Sequence, residues 1–495
     1  MRRTALALTT ALVALPLMAL PGWARTEITL STQQEPTVLD PTADATASID
    51  SMLTQNVYES LTSVNEAGEV IPALATDWTV SEDGLTYTFT LASGVTFHDG
   101  TSFDAEDVLF SFNRAMAEDS TNPSKRIFEP ITEITAPDAQ TVVITIDHTD
   151  AFFLFNLAQG DASIVAPESV DGNATSPVGT GPFRFDSWTR GDRLTLVRND
   201  DYRDLQDGMM ERITFRFIAD PTAVTNALMA GEIDGTAGFP SPELLPMFES
   251  DPRFTVAVGT TQGEVILALN NGRAPFDDID ARRAVNHGLN RQEIIDGAMY
   301  GYATPIGSFF PPSDANYVDL TGLYPFDPEV ARSLLADAGI AEGTSIRLRI
   351  PPFAYATRSA VIIQAEMAAI GLDVEVEQLE WAAWMDQVYN GRDYEMTIIA
   401  HTSPNDLSNF TRGPNYFYGY DNPAFNTLWD QIVATADPVA RGALLQDAQR
   451  FVADEAVHGF LFQLPSLGVY RTELSGYWVS SPVIFSPLAD LRWTE

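Results

Sequence analysis

Between residues 85 and 91 apolar and polar side chains alternate without a break, with Leu85, Tyr87, Phe89 and Leu91 on one side and Thr86, Thr88 and Thr90 on the other. A period of two is the pattern of a strand with one buried face, and Ser93-Gly94 supplies the turn that ends it. Ile213, Phe215 and Phe217 alternate with Thr214 and Arg216 in the same way. The period changes after Asp104, where Val108, Leu109, Phe112, Ala115 and Met116 fall on one face of a helix that Asp104 is placed to cap. Asp220-Pro221 predicts another helix start, a capping side chain followed by proline in the first turn, and Gly231 predicts its end. Asp327-Pro328 and Gly339 repeat that device. Further on, residues 345–350 read as a strand, 357–370 as a helix and 372–376 as a second strand, which makes a βαβ unit. Strands and helices are mixed along the whole chain, so the predicted class is α/β, with sheets covered by helices.

Arg2 and Arg3 precede an apolar run over residues 5–20 that ends at Pro21-Gly22-Trp23-Ala24. This is the pattern of an export leader, with Gly22 and Ala24 as the small residues before a cut after Ala24. About 470 residues then remain, more than one hydrophobic core holds, so two or three lobes are expected. The chain has no cysteine, which removes disulfides, thiolate metal sites, a catalytic thiol and a lipid-acceptor cysteine at the cut. Loss of Arg2 and Arg3 takes the formal charge from −40 to −42, which opposes nucleic acid and anionic membrane as partners. Lys125 is the only lysine.

Enzyme chemistry leaves no local trace. No H-E-x-x-H, G-x-S-x-G or P-loop pattern occurs, and Lys125 lacks the glycines that cradle phosphate. His98, His148, His287, His401 and His458 are scattered without metal-ligand spacing. Asp277, Asp278 and Asp280 lack the glycine turn and distal glutamate of a calcium loop and read as an acidic face or a helix start. A glycosidase-like carboxylate pair stays open in so acidic a chain. No metal and no cofactor is implied.

Several blocks together resemble the extracellular solute-binding proteins of family 5. They begin with Glu35-Pro36, Leu39-Asp40-Pro41 and Val57-Tyr58-Glu59-Ser60-Leu61. The most specific follow: Pro72-Ala73-Leu74-Ala75, Trp78, Ser81-Glu82-Asp83-Gly84-Leu85-Thr86-Tyr87, Gly94-Val95-Thr96-Phe97-His98-Asp99-Gly100 and Phe103-Asp104-Ala105-Glu106-Asp107-Val108. Pro177-Val178-Gly179-Thr180-Gly181-Pro182-Phe183, with Trp188 and Arg198-Asn199, is similar to the family's G-T-G-P segment. Gly231-Glu232-Ile233-Asp234, Pro275-Phe276-Asp277-Asp278 and Gly419-Tyr420-Asp421-Asn422-Pro423 keep the same order.

The resemblance implies an α/β fold of the type II periplasmic binding protein kind, two large lobes plus an extra subdomain, with a hinge and a ligand cleft between lobes. After the leader at 1–24, lobe I would take residues 25–44, 175–262 and 466–495, the extra subdomain (lobe II) 45–174, and the second ligand-binding lobe (lobe III) 263–465. It also implies a periplasmic, non-catalytic, monomeric protein that captures a small solute, foremost a peptide, by closing on it and delivers it to the permease subunits of an ABC importer. An oligosaccharide, opine or metal chelate is the alternative ligand, and a secreted hydrolase the alternative function.

In peptide-binding members a carboxylate before an N-F pair meets the ligand ammonium, and Asp406 in Asp406-Leu407-Ser408-Asn409-Phe410 matches it. Trp381 and Trp384, three apart, could share a helix face, with Trp384 the expected pocket wall and Trp381 core. Arg412, Tyr416 and Tyr418 follow closely enough to meet a carboxylate or hydroxyls, and His401 stands where the family often has tryptophan before the cleft segment. The usual basic pair before G-V-x-F is Ala92-Ser93, and Ile350 falls where strict dipeptide binders carry an arginine for the peptide carboxylate. That leaves longer peptides or another amine-bearing solute better matched than free dipeptides.

Overall fold

The computed structural model describes residues 25–44, 46–402 and 406–494; the expected leader and its cut after Ala24 lie outside them. The alternating segments do form strands. Thr86–Leu91 buries Tyr87, Phe89 and Leu91, and Arg212–Phe217 buries Ile213 and Phe215. Thr344–Ile350 and Leu372–Gln378 pair in parallel, Ile346 beside Val374, across the helix Ala354–Ala369. The aspartate caps work as the pattern requires. Asp220 accepts from the Ala223 amide, Asp327 from those of Glu329 and Val330, and Asp278 from that of Asp280. Asp104 accepts from Glu106 N at 2.9 Å while Asp107 reaches back to Asp104 N, also at 2.9 Å.

Among the described residues an eleven-stranded sheet runs through most of the molecule. In spatial order it takes Leu372–Gln378, Thr344–Ile350, Met396–His401, Phe254–Leu269, His458–Arg471, Gly235–Thr236, Glu27–Thr32, Arg212–Phe217, Arg193–Arg198 and Phe183–Thr189, with Thr304–Pro305 paired to His458–Arg471 off that path. Two strands are far longer than the rest: Phe254–Leu269 has 16 residues and His458–Arg471 has 14. At about 3.3 Å per residue the first spans roughly 50 Å, so each long strand belongs to both halves of the sheet. Their antiparallel ladder is regular from Phe254↔Arg471 to Thr260↔Pro465 and resumes at Glu264↔Gln463. One strand therefore advances four residues while the other advances two, a bulge at the boundary between the halves.

A second sheet, of Ala75–Val80, Thr86–Leu91, Thr141–Ile146 and Ile131–Asp138, is antiparallel. The helix Ala105–Met116 packs on it, with Phe112 edge-on to Phe128 at 5.2 Å and Val108 buried against the same core.

The glycines of the Gly179-Thr180-Gly181 segment join this part to the large sheet. A Cβ on Gly179 would lie 2.0 Å from Val57 O, and one on Gly181 would lie 2.5 Å from Asn56 O, so neither position has room for a side chain. His98 spans the pair, accepting from Gly179 N at 3.3 Å through Nδ1 and lying 3.0 Å from Gly181 O through Nε2. Burial holds its pKa down to about 4, so it is a neutral ring that fits those two roles. Thr180 donates to Glu59 at 2.9 Å, and Arg203 grips Glu59 with contacts of 2.8 and 2.7 Å.

The ends of the described chain meet on the large sheet. Glu27–Thr32 lies between Arg212–Phe217 and Gly235–Thr236, parallel to both, and Trp493 Nε1 donates to Glu27 O at 3.0 Å.

Candidate functional site

Where the ladder of the long strands breaks, the chain leaves a cavity of about 640 Å³. Residues 66–70 and 151–155 wall it from the side of the small sheet, residues 260–264 and 309–316 from the large one, and Ser480 and Ser481 close it from the C-terminal segment. This volume lies within the range that holds a small ligand. Among the described lining residues Glu66, Glu264, Asp314 and Asp406 are acidic and Arg441 alone is basic.

Asp406 opens a short helical segment, Asp406–Thr411, whose tight turn folds its side chain back on its own element. Asn409 Nδ2 donates to Asp406 Oδ1 at 2.9 Å, and only 8% of the residue is exposed. His401 Nδ1 lies 3.9 Å from the other oxygen, Oδ2. That contact is not an ion pair, because burial first and the Arg412 charge second hold the imidazole pKa down to about 3. The neutral ring is fixed from behind by Tyr418, whose hydroxyl is 2.8 Å from Nε2. A hydroxyl that donates there leaves the ring proton on Nδ1, facing Asp406.

Glu264, which no motif marks, sits on the long strand at the resumption of the ladder, opposite Gln463 on one side and His401 on the other. It is 4% exposed, lines the cavity, and its Oε2 has no hydrogen-bond partner among the described residues. Burial, then the charges of Asp406 and Asp314, push its pKa well above the ordinary glutamate value. Its one signal in the sequence is a charged residue heading an otherwise apolar run, Val265 to Leu269, next to Gly263. Phe309 and Phe310, which wall the cavity, carry none beyond their hydrophobicity.

The sequence-derived candidates divide into groups. Asp406, Asn409, His401 and Tyr418 come together as two hydrogen-bonded pairs, Asn409 with Asp406 and Tyr418 with His401, set 3.9 Å apart. Arg412 and Tyr416 form another, the guanidinium 3.9 Å above the Tyr416 ring and Nη1 3.2 Å from the Tyr389 hydroxyl. Trp384 differs from expectation: it is 2% exposed, its Nε1 donates to Thr397 at 3.0 Å, and it does not line the cavity. Trp381 stacks on it at 5.2 Å and 7° and is the exposed member. The α-helical stretch Trp381–Trp384 is one turn long and runs into a π-helical turn at Met385–Asn390, so spacing alone does not fix which indole faces inward. A buried indole N–H needs an acceptor, and Thr397 supplies it to Trp384. Ile350 is buried in the core beside Ile346 and Leu348.

Comparison with known proteins places these features in a family. Residues 69–425 match the model of the bacterial extracellular solute-binding proteins, family 5 (middle region). Di/tripeptide-binding protein 1 of Pseudomonas aeruginosa is 27% identical over 510 residues, covering 94% of each chain. Heme-binding protein A of Haemophilus influenzae is 29% identical over 81% of this chain and 80% of its own. The periplasmic binding protein DppA of Helicobacter pylori, solved with the peptide STSA, superposes with a TM-score of 0.84 at 26% identity, over 95% of this chain and 99% of that one.

Proposed function

This chain belongs to the bacterial extracellular solute-binding proteins of family 5, the substrate-capture components of ABC importers, and from that premise we propose that its solute is a peptide or a similar amine-bearing molecule held at Asp406. One observation carries the ligand reading. Asp406 is a nearly enclosed carboxylate, oriented by Asn409, on the wall of a cavity that residues from widely separated parts of the chain surround. A charge-assisted contact from a ligand ammonium to such a group contributes about 1.5–3 kcal/mol. The similarity to a di/tripeptide binder and to a peptide-bound structure supports the same chemistry.

In this proposal lobe I takes residues 25–44, 175–262 and 466–495, lobe II 45–174 and lobe III 263–465. The bulge between Thr260 and Glu264 then falls at a lobe boundary, where the two long strands act as the hinge. Closure brings the walls onto the ligand, and the permease in the inner membrane receives the closed, monomeric form. Export through the leader, with the cut after Ala24, puts the protein in the periplasm, and its ligand leaves chemically unchanged.

A thermal-shift screen of di- to pentapeptides, glutathione, haemin, oligosaccharides, opines and nickel chelates tests the ligand class, since a ligand that binds only the folded form raises its stability. Stabilisation by amine-bearing peptides that Asp406→Asn weakens supports the reading. Stabilisation by a sugar, haemin or chelate alone, unaltered in that variant, rejects it.

A further inference from the structure

Glu264 is a buried acid that the capture of one ammonium group leaves unused. Among the described residues, its two partners across the sheet are both otherwise engaged. His401, across one strand pair, is a neutral ring turned to Tyr418 and Asp406. Gln463, across the other, already gives its amide N–H groups to Thr261 O at 2.7 Å and Ser313 Oγ at 2.9 Å. The remaining Gln463 Oε1, like Glu264 Oε2, is buried without a hydrogen-bond partner among the described residues. Asp406 and Asp314, which share the cavity wall with the acid, repel its charged form. Glu264 lines the cavity and Gln463 pairs with it in the ladder, so the two unused buried acceptors are complementary to a donor-rich cation that reaches this part of the wall, and leaving them unmatched costs free energy.

We propose that Glu264 and Gln463 form a second cation seat beside Asp406, and that the cleft selects a ligand bearing two positive groups. The α-ammonium meets Asp406, and a side-chain ammonium or guanidinium meets Glu264. The ligand class is therefore a peptide that begins with lysine or arginine, or a free dibasic amino acid. A neutral side chain in the same place strands both acceptors and gains nothing from the acid. Arg441, the basic side chain on the cavity wall, is left for a ligand carboxylate. This inference rests on the proposed role of Asp406.

Isothermal titration with lysyl-alanine, norleucyl-alanine and cadaverine separates the two claims. Norleucine replaces the side-chain ammonium with a methyl group at nearly the same length, and cadaverine carries two ammonium groups with no peptide. Wild type is expected to bind lysyl-alanine at least about thirtyfold more tightly than norleucyl-alanine. Glu264→Gln should bring lysyl-alanine to the level of norleucyl-alanine, while the ligand-free variant melts no lower than wild type because a buried acid has been removed. Equal affinity of the two dipeptides for wild type, or an equal loss of both in Glu264→Gln, overturns the proposal. If neither dipeptide binds, tetrapeptides headed by lysine and by norleucine take their place under the same criteria, and if those fail too the peptide reading fails on its own. Cadaverine then decides: saturable binding abolished by Glu264→Gln sustains the seat, and its absence overturns it. Gln463→Leu provides an independent arm should Glu264→Gln not fold. It is expected to weaken lysyl-alanine about fivefold and spare norleucyl-alanine, and an equal effect on both counts against the seat.

Discussion

Glu264 and His401 stand directly opposite each other on neighbouring strands; His401 Nδ1 lies 3.9 Å from Asp406 Oδ2, and Glu264 shares the cavity wall with Asp406, whose charge adds to burial in raising its pKa. The place of Glu264 on the cavity wall, with His401 beside it, is thus set by sheet register, which a one-residue slip would turn to the opposite face. Asp406 comes from a short helical turn instead, and its orientation depends on Asn409.

Asp406→Asn keeps the size of the side chain and removes its charge. Binding of an amine-bearing peptide is expected to weaken by about 2 kcal/mol, roughly thirtyfold in Kd, with little change in unfolding free energy. A ligand lacking the amine should bind wild type and variant equally in the same titration. Undiminished affinity for the amine-bearing peptide would return Asp406 to a structural role.

Closure about the long strands should compact the molecule. Solution scattering at saturating ligand is expected to give a smaller radius of gyration than the ligand-free protein. An unchanged profile at proven saturation points to rigid binding.

Gly179→Ala tests the joint between the two sheets. A Cβ there meets Val57 O at 2.0 Å, backbone that cannot swing aside, so the expected loss is about 3 kcal/mol or more in urea unfolding. A midpoint equal to that of wild type would mean the segment relaxes without cost.

Glu366 gives a pH dependence whose sign follows from its surroundings. Burial pushes its pKa from 4.5 up to about 8, against a hydrogen bond from Asn290 N of 3.1 Å that favours the charged form. The folded state therefore holds the proton over a pH range in which the unfolded chain has lost it, and stability falls as pH rises through that range. Glu366→Gln should be more stable than wild type by about 4 kcal/mol at pH 8 and equal to it at pH 4, measured by urea unfolding at both values. The same stability difference at both pH values would contradict the shift.

The elements that periodicity marks are legible in the amino-acid sequence alone. Thr86–Leu91, Arg212–Phe217 and the three aspartate-capped helices at Ala105, Pro221 and Pro328 follow from alternation, spacing and caps, which are local properties. The family blocks are legible too, but for the most specific of them the structure shows a structural task. His98, Gly179, Thr180 and Gly181 hold the small sheet to the large one, and none of them lines the cavity. Trp384 and Glu264 escape sequence reasoning because what decides each lies outside its local pattern: Thr397 for the indole N–H, and the ladder with Gln463, some two hundred residues away, for the acid. Spacing along a helix tells which residues are neighbours, not which side meets solvent.

Glu27–Thr32 is gripped by partners at residues 212–217 and 235–236, and Glu27 accepts from Trp493. A strand whose neighbours come so late in the chain must wait for them. This early segment is among the last whose contacts can be completed, and the long loops that must close before it docks make this half of the molecule a slow, high-contact-order folder. The small sheet, built between residues 75 and 146, has no such dependence and can form while the rest is still being made.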